Sequence, residues 1–194
     1  MKKRIIVTIM LMVFGTPLHA LSAEQEQVIN ESYNIGKQVK AKDGMTFEWA
    51  LAAVGMTESS SGRNIIGDEH YSRKLKKASL GVYQVRFDTA IYIIKRDKLM
   101  NKYYSFLLLK RNENRLVTLL LTNSKFSGML AATYLKMNYE AALKKGSPKP
   151  YFHAISRYNG GCWNYAYYER VMKNMRMIKR LKIVKFNSDK VALI

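Results

Sequence analysis

The chain has one cysteine, Cys162, and only three histidines, His19, His70 and His153, in 194 residues. A single thiol excludes an internal disulfide, so the core must hold without covalent staples. One thiol and three scattered imidazoles offer no Cys/His pair and no metal-ligand spacing, so neither a zinc centre nor another cofactor is expected. A lone cysteine is more commonly a small buried hydrophobe than a nucleophile. Strand patterns are weak, and neither an internal repeat nor a low-complexity segment is present. Acidic residues are scarce as well: 14 Asp and Glu stand against 33 Lys and Arg, a net charge of +19. An excess of this size predicts attraction to a polyanion, whether cell wall, anionic lipid or nucleic acid. Basic and aromatic residues are not interleaved as in nucleic-acid stacking motifs, which makes nucleic acid the weakest of the three.

What is present begins with MKKRIIVTIMLMVFGTPLHALSAE. Lys2, Lys3 and Arg4 precede an apolar run from Ile5 to Phe14, and small residues follow at Ala20 and Ala23. This is the pattern of a secretory signal peptide over residues 1–23, cleaved after Ala20 or Ala23, and it predicts a periplasmic or secreted protein. The alternative is an uncleaved anchor, but the apolar run falls short of the roughly 20 residues of a membrane span. Residues 24–194 are enough for a single domain with a sizeable core. Removing Lys2, Lys3 and Arg4 lowers the net charge by three, to +16.

Apolar spacing predicts helices over Glu24–Val39, from an N-cap at Thr46 to Ser59, and over Phe87–Lys98, Arg115–Leu121, Ser127–Leu143, Ala154–Tyr158 and Trp163–Lys182. KAKDG reads as a turn and KKGSPKP as a break, whereas GVYQV could be one short strand. Arg63 to Ser79 reads as a polar, strongly basic loop. In the last helix Val171, Met175 and Ile178 share a face, and seven basic residues between Arg170 and Lys185 meet no acid. That helix closes the domain with a solvated basic face, or it docks on a partner or an anionic envelope surface.

One residue interrupts this order. Phe47, Ala50, Leu51 and Val54 form an apolar stripe, and the next position on that stripe is Glu58. A carboxylate aimed into a core neutralises, pairs, or does chemistry. Taken by itself, Glu58 could equally cap the helix or pair with a nearby arginine.

Two further motifs follow, Gly81-Val82-Tyr83-Gln84 and Arg157-Tyr158-Asn159-Gly160-Gly161. With Glu58-Ser59-Ser60 they resemble, in this order, the soluble lytic transglycosylases of the goose-type-lysozyme-like superfamily. That family carries a catalytic Glu followed by Ser, then G-L-M-Q, then A-Y-N-A-G, and Tyr134-Leu135 resembles the end of its intervening helix. The resemblance spans residues 47–163 and leaves 164–194 as a basic C-terminal helix and tail. Three departures bear on groove shape: the longer basic loop, Tyr83 in place of Met, and the Gly160-Gly161 pair.

The resemblance implies an α+β lysozyme-like fold, mainly α-helical, with at most a short β element near the active-site loop. It implies cleavage of peptidoglycan glycan strands between N-acetylmuramic acid and N-acetylglucosamine, leaving 1,6-anhydro-muramic acid ends. Glu58 would act as general acid and then base, Tyr158 would orient it, and Ser59, Tyr83, Gln84 and Asn159 would hold sugar or shape the groove. Ser72 and Ser79 are further candidates for sugar contact. By analogy, a small exported version suits local wall opening for a secretion or pilus apparatus. A water-using muramidase would need a base, for which Asp68, Glu69 and Asp88 are the nearest acids. A wall- or polyanion-binding protein without activity is the third reading.

Overall fold

The computed structural model describes residues 21–67 and 74–184. The signal segment up to Ala20, together with Asp68, Glu69, His70 and Ser72, lies outside the described residues.

The architecture is mainly helical. In chain order the helices are α1 (Ala23–Gln38), α2 (Glu48–Ser59), α3 (Phe87–Arg96), α4 (Lys98–Tyr104), α5 (Glu113–Thr122), α6 (Ser124–Lys144), α7 (Pro150–Tyr158) and α8 (Tyr165–Arg180). One antiparallel hairpin, β1 (Ser79–Leu80) and β2 (Val85–Arg86), pairs Ser79 with Arg86 and Leu80 with Val85. Two short 3₁₀ turns, Ser105–Leu108 and Lys110–Asn112, lead from α4 to α5.

The central element is α2. Ala50 to Gly55 are buried without interruption, and α1, α6 and α8 pack around this helix. Alanines at 50, 52 and 53 keep its girth small, which lets three neighbours approach at once. Full burial of Phe47, Leu51 and Val54 contributes about 1.5–3 kcal/mol per side chain. The crossing with α1 is close: a Cβ on Gly36 would fall 2.6 Å from the Glu48 Cα, so only glycine fits there.

Helix boundaries follow local chemistry. Ser22 opens α1 through a capping box, accepting from the Gln25 N–H (3.3 Å) while Gln25 Oε1 accepts from the Ser22 N–H (3.0 Å). Thr46 does not cap α2; it pairs with Lys40 in an isolated bridge, and Phe47 stands at the N-cap with no side-chain bond. The third helix stops at Arg96 because Asp97 starts a new one, its Oδ1 accepting from the Leu99 and Met100 N–H groups (both 3.0 Å). Asp97 Oδ2 also takes Lys136 Nζ at 2.6 Å, tying α4 to α6. Asn123 caps α6 and moves its start ahead of Ser127, and Pro150 at the first turn starts α7 ahead of Ala154. GVYQV is a turn that only ends in strand, at Val85.

Among the described residues no helix is long and apolar enough to cross a membrane, and no cluster of three or more His, Cys, Asp or Glu side chains could hold a metal ion. Cys162 is exposed on the loop after α7, not buried. The last helix closes the domain: Val171, Met175 and Ile178 are buried, and Arg170, Lys173, Arg176, Lys179 and Arg180 are exposed.

Candidate functional site

Glu58 is the penultimate residue of α2, and the chain leaves the helix immediately behind it. Ser60 and Ser61 adopt left-handed conformations (φ 52° and 55°), with the Ser60 N–H bonding the Met56 carbonyl and the Ser61 N–H that of Gly55. Ser59 is 2% exposed; its hydroxyl donates to the Val82 carbonyl (2.7 Å) and accepts from the Gly62 N–H (2.8 Å). Ser59 therefore fastens the helix end to the 81–84 turn beneath the cleft, and it is not placed to touch sugar.

The Glu58 carboxyl faces a cleft of about 340 Å³, lined also by Gln84, Arg86, Thr89, Tyr134, Tyr158, Asn159 and Gly160. Its direct partner is a residue that the sequence reading did not single out. Tyr167, on α8, donates its hydroxyl to Glu58 Oε1 at 2.5 Å. Beside this pair, Asn174 Nδ2 donates to Thr57 Oγ1 (2.9 Å) and locks α8 onto α2. The Arg170 guanidinium lies over the Tyr167 ring, 5.6 Å from its centroid.

Burial pushes the Glu58 carboxyl above its ordinary value, and this outweighs the Tyr167 hydrogen bond, the Arg170 charge and the Asn159 side chain, which all pull it down. The Tyr167 hydroxyl is held far above its ordinary range by burial and by the Glu58 charge, so it stays protonated and remains a donor. The arrangement is a carboxylic acid that keeps its proton more readily than an exposed one, gripped in a fixed orientation at the wall of an open cleft. Such a group can deliver a proton and then take one back.

The other anticipated residues fall into two sets. Tyr158 lines the cleft, but its hydroxyl donates to the Tyr83 carbonyl (2.8 Å) and not to Glu58, so the orienting role falls to Tyr167. The Tyr83 ring is wholly buried, its hydroxyl bonded to Ser32 Oγ (2.7 Å), and with its carbonyl engaged by Tyr158 it belongs to the core. Its ring anchors the turn from below. Gln84 sits in the cleft wall at φ 49°, and its Nε2 donates to the Gly81 (2.9 Å) and Asn64 (3.1 Å) carbonyls. Its amide donors thus hold the loop. Asn159 and Ser79 both line the cleft.

Among the described residues lining the cleft, Glu58 is the sole carboxylate. Asp88 is exposed and lines a neighbouring hollow. No match to this chain is found among protein-family models, curated proteins or solved structures.

Tyr167→Phe isolates the orienting bond. Losing a hydrogen bond to a charged group is worth about 1.5–3 kcal/mol. Because that bond lowers the carboxyl's pKa, removing it is expected to move the Glu58 limb of a pH–rate profile to higher pH. The rate is expected to fall about tenfold or more. An unmoved limb would mean that Tyr167 merely packs against the carboxyl.

Proposed function

We propose that the protein is a peptidoglycan lytic transglycosylase with a lysozyme-like fold, acting in the periplasm or outside the cell. The observation that carries this reading is a single raised-pKa carboxyl, held by a permanent donor, in a cleft with no second carboxylate among its described lining residues. Most glycosidases divide acid and base work between two carboxylates. A transglycosylase uses one group twice, because the nucleophile belongs to the substrate.

In the first step Glu58 protonates the oxygen between N-acetylmuramic acid and N-acetylglucosamine, and that bond breaks. The acetamido oxygen of the muramic acid stabilises the developing cation, as in other substrate-assisted glycosidases. Burial favours the protonated form that this step consumes. The carboxylate left behind is stabilised by Tyr167, Arg170 and Asn159, the groups that lower its pKa. It then takes the proton of the muramic acid C6 hydroxyl, whose oxygen closes on C1 to form the 1,6-anhydro ring. Glu58 ends protonated, no water enters, and the sum of the products equals the substrate in mass.

The basic surface suits an anionic polymer as partner, with the exposed cations of α8 drawing the protein to wall carboxylates and phosphates. Local wall opening for an envelope-spanning apparatus fits a domain of this size.

The test is the mass of the fragments released from purified peptidoglycan. Fragments one water lighter than those made by a lysozyme are expected. Reducing-end products would overturn the anhydro mechanism and make the protein a hydrolase. Release of no fragments would leave a wall-binding protein.

A further inference from the structure

Beside the Glu58 cleft lies a second hollow of about 300 Å³, and three helices supply its lining. Asp88, Thr89 and Tyr92 come from α3, Tyr134 and Asn138 from α6, and Arg157 from α7. Thr89 and Tyr134 line both spaces, so the two adjoin.

Ion pairs are few among the described residues: Lys136 pairs with Asp97, and Lys76 with Glu113. Asp88 and Arg157 share one hollow and yet, among the described residues, neither side chain has an ion-pair or hydrogen-bond partner. Asn138 adds an independent observation. It is 6% exposed, and its amide Nδ2 is buried with no hydrogen-bond partner. Buried polar groups are paired in the great majority of cases, so an orphan donor beside a cavity marks a place where an acceptor belongs.

We infer that this hollow binds the peptide stem of the peptidoglycan strand, an inference that rests on the reading of the cleft given above. A stem branches from the muramic acid next to the bond being cut, which places it beside the cleft. It carries free carboxylates for Arg157, an ammonium group for Asp88, and amide carbonyls for the Asn138 donor. Arg157 can meet a carboxylate with two parallel hydrogen bonds. The faces of Tyr92 and Tyr134 pack against the aliphatic parts of the peptide. An unbranched neutral sugar would leave both charges and the amide unanswered.

Two measurements test this, and they fail separately. The first titrates the purified protein with L-alanyl-γ-D-glutamyl-L-lysine, a soluble tripeptide carrying both charges, and follows the NMR signals of α3 and α7. Saturable shifts are expected, with affinity lowered about fivefold or more in Arg157→Gln and in Asp88→Asn. Absence of shifts up to about 10 mM peptide, or equal affinity in both variants, overturns the inference. Thermal unfolding of each variant confirms that it is folded.

The second compares intact strands with strands stripped of stems by an amidase. Wild type is expected to prefer intact strands by about tenfold in kcat/KM, and Arg157→Gln is expected to lose most of that preference. Equal preference in the two proteins overturns the inference while leaving the cleavage reaction standing. If neither protein cuts any strand, the reading of the cleft fails and the tripeptide titration alone decides the subsite.

Discussion

Glu58→Gln is expected to reduce peptidoglycan cleavage by roughly 10³-fold, within the range for losing a general acid–base group, and to leave the protein folded. The amide keeps the acceptor for Tyr167 but can neither give nor recover a proton. Its stability carries a second, independent signature. The folded-state pKa of Glu58 lies above its ordinary value of 4.5, so between the two values the native state binds more protons than the unfolded chain. Stability of the wild type therefore falls as pH rises through that window and stays lowered above it. Below the ordinary value the carboxyl is protonated in both states and the penalty is absent. Urea midpoints should accordingly place Glu58→Gln above wild type at pH 7, with the gap closing near pH 4. A variant destabilised at pH 7 would mean that the carboxylate is a structural partner of Tyr167 and Arg170, and the mechanism would lose its acid.

Gly81→Ala is expected to be the most damaging small substitution in the turn beneath the cleft. Gly81 has φ +74°, and an added Cβ would stand 2.0 Å from the Leu120 carbonyl oxygen. That oxygen belongs to the backbone of α5, so it cannot swing aside as a side chain would. The Gly81 N–H also donates to the Ile65 carbonyl (2.7 Å), and its own carbonyl accepts from Gln84. Strained backbone combined with a main-chain clash belongs among the largest single-residue effects, about 4 kcal/mol or more. The urea midpoint should drop accordingly. Cleavage should be lost as well, since the turn places Gln84 in the wall and the Tyr83 carbonyl under Tyr158. A loss below about 1 kcal/mol would show that α5 and the turn are not in contact.

Glu58 was legible in the sequence as a candidate because it violates a local rule: a carboxylate continues an apolar stripe. The order of the helices was legible for the same reason, since spacing of apolar residues records which face is buried. Tyr167 was not legible. It stands in the run Tyr165-Ala166-Tyr167-Tyr168, where Tyr167 and Tyr168 both continue the stripe of Val171 and Met175 and spacing does not choose between them, and its partner lies 109 residues away. Tyr83 was misplaced because an aromatic two residues after a glycine reads the same whether its ring enters a groove or the core. Asp97 ended one helix and began another, a capping choice that the continuous pattern of apolar residues around it concealed.

The Glu58–Tyr167 bond also sets when this centre can exist. It joins α2 to α8 across 109 residues, so the carboxyl cannot be gripped until α8 is available to fold. Contacts so distant in sequence form late, because a large loop must close before they can stabilise anything. A chain that stops short of Tyr165 lacks both the Tyr167 donor and the α8 face that packs against α2. The grip that orients the Glu58 carboxyl thus arrives only with α8.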